Sequence, residues 1–218
     1  AEGEDWQLLV GAALAKRLST AGSMPFLIAL PTPPSEEAVD LIRRLSLRRA
    51  LVLASRADPD RAAGLEFLPA DVFHVDEDPA LAGLMAAKRF WRQSDTIVCA
   101  EPAEPMSQVL GATLAAHLGV PFVPLWDAPD PATLKRALGE LRVAEAIYVS
   151  SRWLVRPEWS KGLPQQFRML DRGEAQRMLV RTIGPDRVRN VTLTRVSGQD
   201  RGVGFLSALA PYYSVVRK

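Results

Sequence analysis

Glu101 and Glu104 lie three residues apart in the segment Glu101-Pro102-Ala103-Glu104-Pro105, which follows an apolar run ending at Ala100. Paired carboxylates at the end of a buried strand are the residue types of general acid–base chemistry, one to give a proton and one to take it. No histidine or nucleophile motif accompanies them, and a solvated loop between a strand and a helix can hold the same pair for no chemical reason. A second group is Arg152-Trp153-Leu154-Val155-Arg156-Pro157-Glu158-Trp159. Tryptophan faces suit sugar rings, and guanidinium groups suit phosphate or carboxylate; a hydrophobic lid on the core would use the same residues. A third group, Arg195, Asp200 and Arg201, surrounds Gly198 just ahead of an expected helix start, where an anion can be cradled. The candidate ligand-binding residues are therefore Arg152, Trp153, Arg156, Trp159, Arg195, Asp200, Arg201, Glu101 and Glu104, and none is assigned a catalytic role.

Other chemistry finds no residue set. His74 and His117 each stand alone among apolar neighbours, and no Cys/His spacing suits a metal. There is no glycine-rich phosphate loop and no nucleophile elbow, so neither metal nor cofactor is expected. Cys99 is the single cysteine and lies in an apolar run, which predicts a buried thiol without an intrachain disulfide.

The elements that must position these residues follow from apolar periodicity and turn residues. Val10, Leu14 and Leu18 recur every four residues and predict one face of a helix over 6–18. Pro25 to Leu30 reads as a buried strand. Ser35 reads as a helix cap, followed by Glu36 and Glu37 in the first turn and Arg43 and Arg44 near the end. The expected buried face of that helix is Ala38, Leu41, Ile42 and Leu45. Strands are expected at Ala50–Ala54, Val72–Val75, Thr96–Ala100, Pro121–Leu125, Ala146–Val149 and Asn190–Thr194. Between them, helices run from Asp78-Pro79 to about Trp91, along Leu110, Leu114 and Leu118, along Leu134, Ala137, Leu138 and Leu141, and from about Glu174 to Ile183. A last helix runs through about Tyr212. Strands alternating with helices predict an α/β fold, with a parallel sheet flanked by helices. Ligands of such sheets bind beyond the carboxyl ends of the strands. The loops 31–35, 55–60, 101–107, 127–131, 150–159 and 195–202 lie there.

The chain also repeats itself. Residues 11–19 align with 111–119, and 24–56 with 120–152, and 12 of these 42 pairs are identical, among them Gly11/Gly111, Pro25/Pro121, Phe26/Phe122 and Ser55/Ser151. Ordinary composition would give roughly three or four identities in that length. The period suits a tandem duplication: a first α/β unit over 1–94, a second over 95–189, and a strand and helix over 190–218 that begin a third unit or complete the first.

Composition, at 48% hydrophobic and 24% charged residues, is that of a globular protein. The net charge of +2 conceals a split. Residues 151–218 hold 13 basic and 5 acidic side chains, a net of +8, and the other 150 residues carry −6. Such asymmetry favours an anionic partner or an internal docking surface. No apolar run approaches the roughly 18 residues that span a bilayer. The basic residues form no aromatic-interleaved RNA motif, so nucleic acid is not an expected partner.

Three stretches resemble the cell wall-binding repeat 2 family: Ile97-Val98-Cys99-Ala100, then Leu110-Gly111-Ala112-Thr113-Leu114-Ala115-Ala116-His117-Leu118-Gly119 with Val120-Pro121-Phe122-Val123, then Leu138 to Val149. Where the family ends its strand in Gly-Gly, this chain has Ser150-Ser151, and the acid of the family's Asp-Ala-Leu is absent from Val109-Leu110-Gly111. Arg195 to Arg201 is similar to the family's repeat opening, in a different register. The resemblance implies two tandem Rossmann-like repeats in a secreted or cell-envelope bacterial or archaeal protein. It further implies attachment to an anionic cell-wall polymer or another envelope component, with additional repeats or domains in a longer parent. The leading expectation is thus a non-catalytic binding module for an anionic polymer or a protein partner. Two alternatives stay open. One is an enzyme with a site between the units at the strand carboxyl ends, using Glu101, Glu104, Asp127 or Arg195; the other is a two-lobed small-molecule receptor.

Overall fold

The computed structural model describes residues 5–18, 35–45, 49–55, 65–75, 78–101, 104–125, 130–151, 160–161, 163–164 and 166–184. Within these, the chain forms helix α1 (Asp5–Leu18), helix α2 (Glu36–Arg44), strands β1 (Ala50–Ser55) and β2 (Ala70–Val75), helix α3 (Pro79–Phe90), strand β3 (Thr96–Ala100) and helix α4 (Pro105–Leu118). Strand β4 (Phe122–Pro124), helix α5 (Pro131–Glu140), strands β5 (Glu145–Val149) and β6 (Gln166–Leu170) and helix α6 (Arg172–Ile183) follow. The expected strands at 25–30 and 190–194 and the last helix lie outside the described residues.

Local chemistry explains the helix boundaries. Ser35 Oγ accepts from the Ala38 amide at 3.2 Å, and Asp78 Oδ1 accepts from the Ala80 and Leu81 amides at 2.8 and 3.1 Å. Each cap satisfies donors that a helix start leaves without partners. Asp171 and Glu174 close a reciprocal capping box on α6. Helix α4 stops at Gly119, whose φ of 72° is the left-handed conformation that glycine adopts without strain. That turn is held from outside by Trp91, whose buried indole N–H donates to the Gly119 carbonyl at 2.8 Å.

The described chain forms two compact units, one of Ala1–Leu27 and Asp78–Lys218, the other of Ile28–Glu77. In the larger unit, four parallel strands lie in the order β4-β3-β5-β6. The central strand β3 is buried over Ile97–Ala100 and presents its two faces to different helices. Ile97 and Cys99 join Ala80 and Leu84 of α3, Leu134, Ala137 and Leu138 of α5, and Tyr148 of β5 in one core cluster. Each large aliphatic side chain buried there contributes about 1.5–3 kcal/mol. Cys99 is fully buried and free, and its burial raises the thiol pKa far above the ordinary value. Helix α4 lies over β3 and packs against α1 and α6. A Cβ on Gly111 would come within 2.9 Å of the Phe122 ring and 3.0 Å of the Ala100 methyl, so only glycine lets the helix lie this close to the sheet.

In the smaller unit, β1 and β2 pair in parallel and α2 covers one face, with Ile42, Val52, Ala54, Leu65 and Leu68 as its core. Two core expectations are corrected. Leu41 is 45% exposed and Leu18 is 48% exposed, each on a side of its helix that no described residue covers. Val10 and Leu14 are buried as expected, and among the described residues of α1 burial runs unbroken from Leu9 to Leu14, a face wider than a period of four suggests.

The element order repeats. Helices α1 and α4 each have 14 residues and begin 100 positions apart; α2, β1 and β2 correspond to α5, β5 and β6. Both strand pairs are parallel, with partners 20 positions apart in one (Ala50↔Ala70) and 21 in the other (Glu145↔Gln166). A unit of duplication need not be a unit of packing: α1 belongs to the first sequence repeat and packs against α3, α4 and β4 of the larger compact unit.

Candidate functional site

Strand order places the site. From β3 the chain moves to β4 on one side, then returns to β5 on the other, so the order reverses between β3 and β5. In doubly wound sheets the crevice beyond the carboxyl ends of two such strands is where ligands bind. Here β3 ends at Ala100 and is followed by Glu101; β5 ends at Val149 and is followed by Ser150 and Ser151.

Glu101 closes that crevice. Its side chain reaches from the end of β3 to the end of β5, and the residue is 7% exposed. Its Oε2 accepts from Ser150 Oγ at 2.9 Å, from the Ser151 backbone N–H at 3.0 Å and from Ser151 Oγ at 3.0 Å. Three donors thus converge on one oxygen of a buried side chain, where an unpartnered carboxylate would be costly. The Glu101 amide itself donates to the Val149 carbonyl at 2.9 Å, extending the β3–β5 ladder by one bond.

Glu104 does a different task. It is the N-cap of α4, accepting from the Ser107 amide through Oε2 at 2.6 Å, and its Oε1 accepts from Arg172 at 2.6 Å. Arg172 opens α6, so one carboxylate joins the first turns of two helices. At 46% side-chain exposure for Arg172 and 19% for Glu104, this pair is screened by water and contributes on the order of 1 kcal/mol or less.

Below the first turn of α4, Gln108 is 1% exposed and its Nε2 donates to the carbonyls of Ala100 at 3.3 Å and Glu101 at 2.9 Å. Its Oε1 and the hydroxyl of Ser107, a residue with no exposed surface, are buried without a hydrogen-bond partner. Most buried polar atoms are partnered, so two orphans on adjacent residues call for a reason.

Of the residues singled out from sequence, the structure brings Glu101 and Glu104 to the same end of the sheet and gives them separate partners. Arg152, Trp153, Arg156, Trp159, Arg195, Asp200 and Arg201, and Asp127 with them, lie outside the described residues. Ser107, Gln108 and Arg172 were not among the candidates. Their signals were weak: a polar pair opening an otherwise apolar helix, and an arginine directly after a strand. Ser151 carried a stronger one, since it is identical to Ser55 in the internal repeat. His74 is exposed on β2, and His117 is part-buried near the end of α4. Among the described residues no group of His, Cys, Asp and Glu could hold a metal ion, and no helix is long and apolar enough to cross a membrane.

Fold and site together define a Rossmann-like parallel α/β protein whose sheet-end crevice is spanned by its own side chains. Comparison of the chain with known protein families, with curated sequences and with solved structures finds no significant match.

Proposed function

We propose that this chain is a non-catalytic binding module of an extracytoplasmic envelope protein, and that it recognises an anionic cell-wall polymer. The observation that carries the reading is the engagement of Glu101 by Ser150 and Ser151. One oxygen of Glu101 already accepts three hydrogen bonds, and Glu104 is engaged by the α4 cap and by Arg172, so both side chains are committed to partners within the fold. The acidic pair serves the architecture at the place where an enzyme of this fold would keep its reactive groups.

Charge supports the anionic partner. The basic part of the chain begins at the β6–α6 side of the larger unit, where Arg168, Arg172, Arg177 and Arg181 are all exposed. Arg168 and Arg172 pair with Glu145 and Glu104, and no ion pair forms at Arg177 or Arg181 among the described residues. The resemblance to cell wall-binding repeats and the repeated element order point the same way.

The test is retention of the full chain on purified cell-wall polymer across a salt series. Retention is expected at low salt, where screening lengths reach about 30 Å, and elution as they fall toward about 10 Å near 0.1 M. Passage through the column unretarded at the lowest salt would sink the reading. Arg177→Glu with Arg181→Glu should lower the eluting salt if α6 is part of the surface.

A further inference from the structure

We infer that the Ser150–Ser151 turn is an oxyanion receptor that Glu101 keeps occupied, and that an anionic group flanked by hydroxyls, such as a polyol phosphate, displaces Glu101 from it. The inference deepens the reading above, and rests on it only for the polymer that would carry such groups.

The receptor is seen with an oxyanion in place. Ser150 Oγ, the Ser151 backbone N–H and Ser151 Oγ converge on one oxygen at 2.9, 3.0 and 3.0 Å. Nothing in that donor set is specific to a glutamate side chain; a phosphate or an external carboxylate presents the same oxygen. The turn stands where the strand order reverses, the place where parallel α/β sheets bind ligands. It also lies at the same end of the sheet as the α4 N-terminus, whose positive end favours negative charge. Glu101 is 7% exposed, so the space an incoming oxyanion would use is the space the Glu101 side chain fills, and entry requires that side chain to rotate outward.

The second observation concerns what Glu101 leaves undone. Ser107 Oγ and Gln108 Oε1 are buried without partners in the adjacent first turn of α4. Gln108 is oriented by its two bonds to the Ala100 and Glu101 carbonyls, which leaves Oε1 as an acceptor only. A carboxylate cannot satisfy it; a hydroxyl can. The hydroxyl of Ser107 can give or take a bond. A ligand that sets an oxyanion on Ser150 and Ser151 and a hydroxyl beside it would replace what Glu101 supplies and partner what Glu101 leaves unpartnered. A bare anion would do only the first.

The experiment measures binding of glycerol 3-phosphate, inorganic phosphate and glycerol to the full chain by calorimetry. Glu101→Ala should bind glycerol 3-phosphate about tenfold or more tightly than the unchanged chain. Adding Ser150→Ala and Ser151→Ala should abolish the gain, and Glu101→Gln, which keeps an acceptor in the receptor, should show none. A folded Glu101→Ala chain with no gain overturns the inference, as does a gain that survives loss of both serine hydroxyls. A gain as large for inorganic phosphate overturns the part given to Ser107 and Gln108. If Glu101→Ala does not fold, amide exchange at Ser107 and Ser151 in the unchanged chain decides: a change with glycerol 3-phosphate but not with glycerol supports displacement, and no change overturns it. Polymer retention is scored separately, so its failure counts against the wall-binding reading while the gain in Glu101→Ala still supports the receptor.

Discussion

Ser150 Oγ donates to the Glu101 carboxylate at 2.9 Å across 49 positions of sequence. The bond lies one step beyond the last paired residues of β3 and β5, beside the final backbone bond from the Glu101 amide to the Val149 carbonyl. With both donors of Ser151 on the same oxygen, it makes the carboxyl edge of the sheet a cross-linked edge. Ion pairing of Glu104 with Arg172 continues that edge toward α6.

This arrangement predicts coupling between the two residues. Glu101→Ala should lower stability by about 1.5–3 kcal/mol and Ser150→Ala by about 1–2 kcal/mol, since each leaves buried groups without their charged or hydroxyl partner. The double substitution should cost less than the sum, by about 0.5–3 kcal/mol. Urea midpoints at constant m-value measure all three, and strict additivity would show that the contact contributes nothing.

Gly111 offers a test of how closely α4 lies on the sheet. Alanine is the better helix former by about 1 kcal/mol, so intrinsic propensity alone predicts that Gly111→Ala stabilises. The methyl would meet the Phe122 ring at 2.9 Å and the Ala100 methyl at 3.0 Å, and both residues are buried. Overpacking of this kind costs about 1–3 kcal/mol, so a net loss is expected, with partial recovery when Phe122→Leu makes room. A rise in melting temperature for Gly111→Ala alone would show that the helix lies further out than described.

Asp130 gives a pH signature free of any assumption about ligands. It caps α5, and the hydrogen bonds from the Thr133 hydroxyl, then from the Thr133 and Ala132 amides, lower its pKa below the ordinary 3.8. A lowered folded-state pKa means the cap stabilises α5 fully above the ordinary carboxylate value and is lost as pH falls through the lower, folded value. Carboxyl carbon chemical shifts should therefore titrate below 3.8 at this residue. In Asp130→Asn, Thr133 amide exchange should lose the corresponding acid-range dependence. A midpoint at or above the ordinary value would contradict the capping geometry.

What the sequence made legible was local. Ser35, Asp78 and the paired charges of α2 mark helix ends because a cap bonds to amides two or three residues away. The run Thr96–Ala100 marks a buried strand because every residue in it is small or apolar. The repeat was legible for another reason: duplicated side chains keep duplicated elements, and α1 and α4 follow that offset. Exposure at Leu18 and Leu41 was not legible, since periodicity tells which residues share a helix face and not whether anything covers it. Nor was the site. Glu101 was legible as an acid after a strand, but its partners stand 49 and 50 residues on, and they meet only because β5 returns to the far side of β3. A strand–helix–strand pattern fixes parallel direction, and leaves open on which side each new strand is laid.

Ten consecutive residues of α4, Ser107 to Ala116, are buried, and the helix contains no lysine, arginine, aspartate or glutamate. Most helices of a globular protein have a wet side along which mutations accumulate without consequence. Along these ten residues α4 has none, so drift is left to outer helices such as α5 and α6, and a lineage of such chains would diverge at its rind while its axis stayed nearly unchanged.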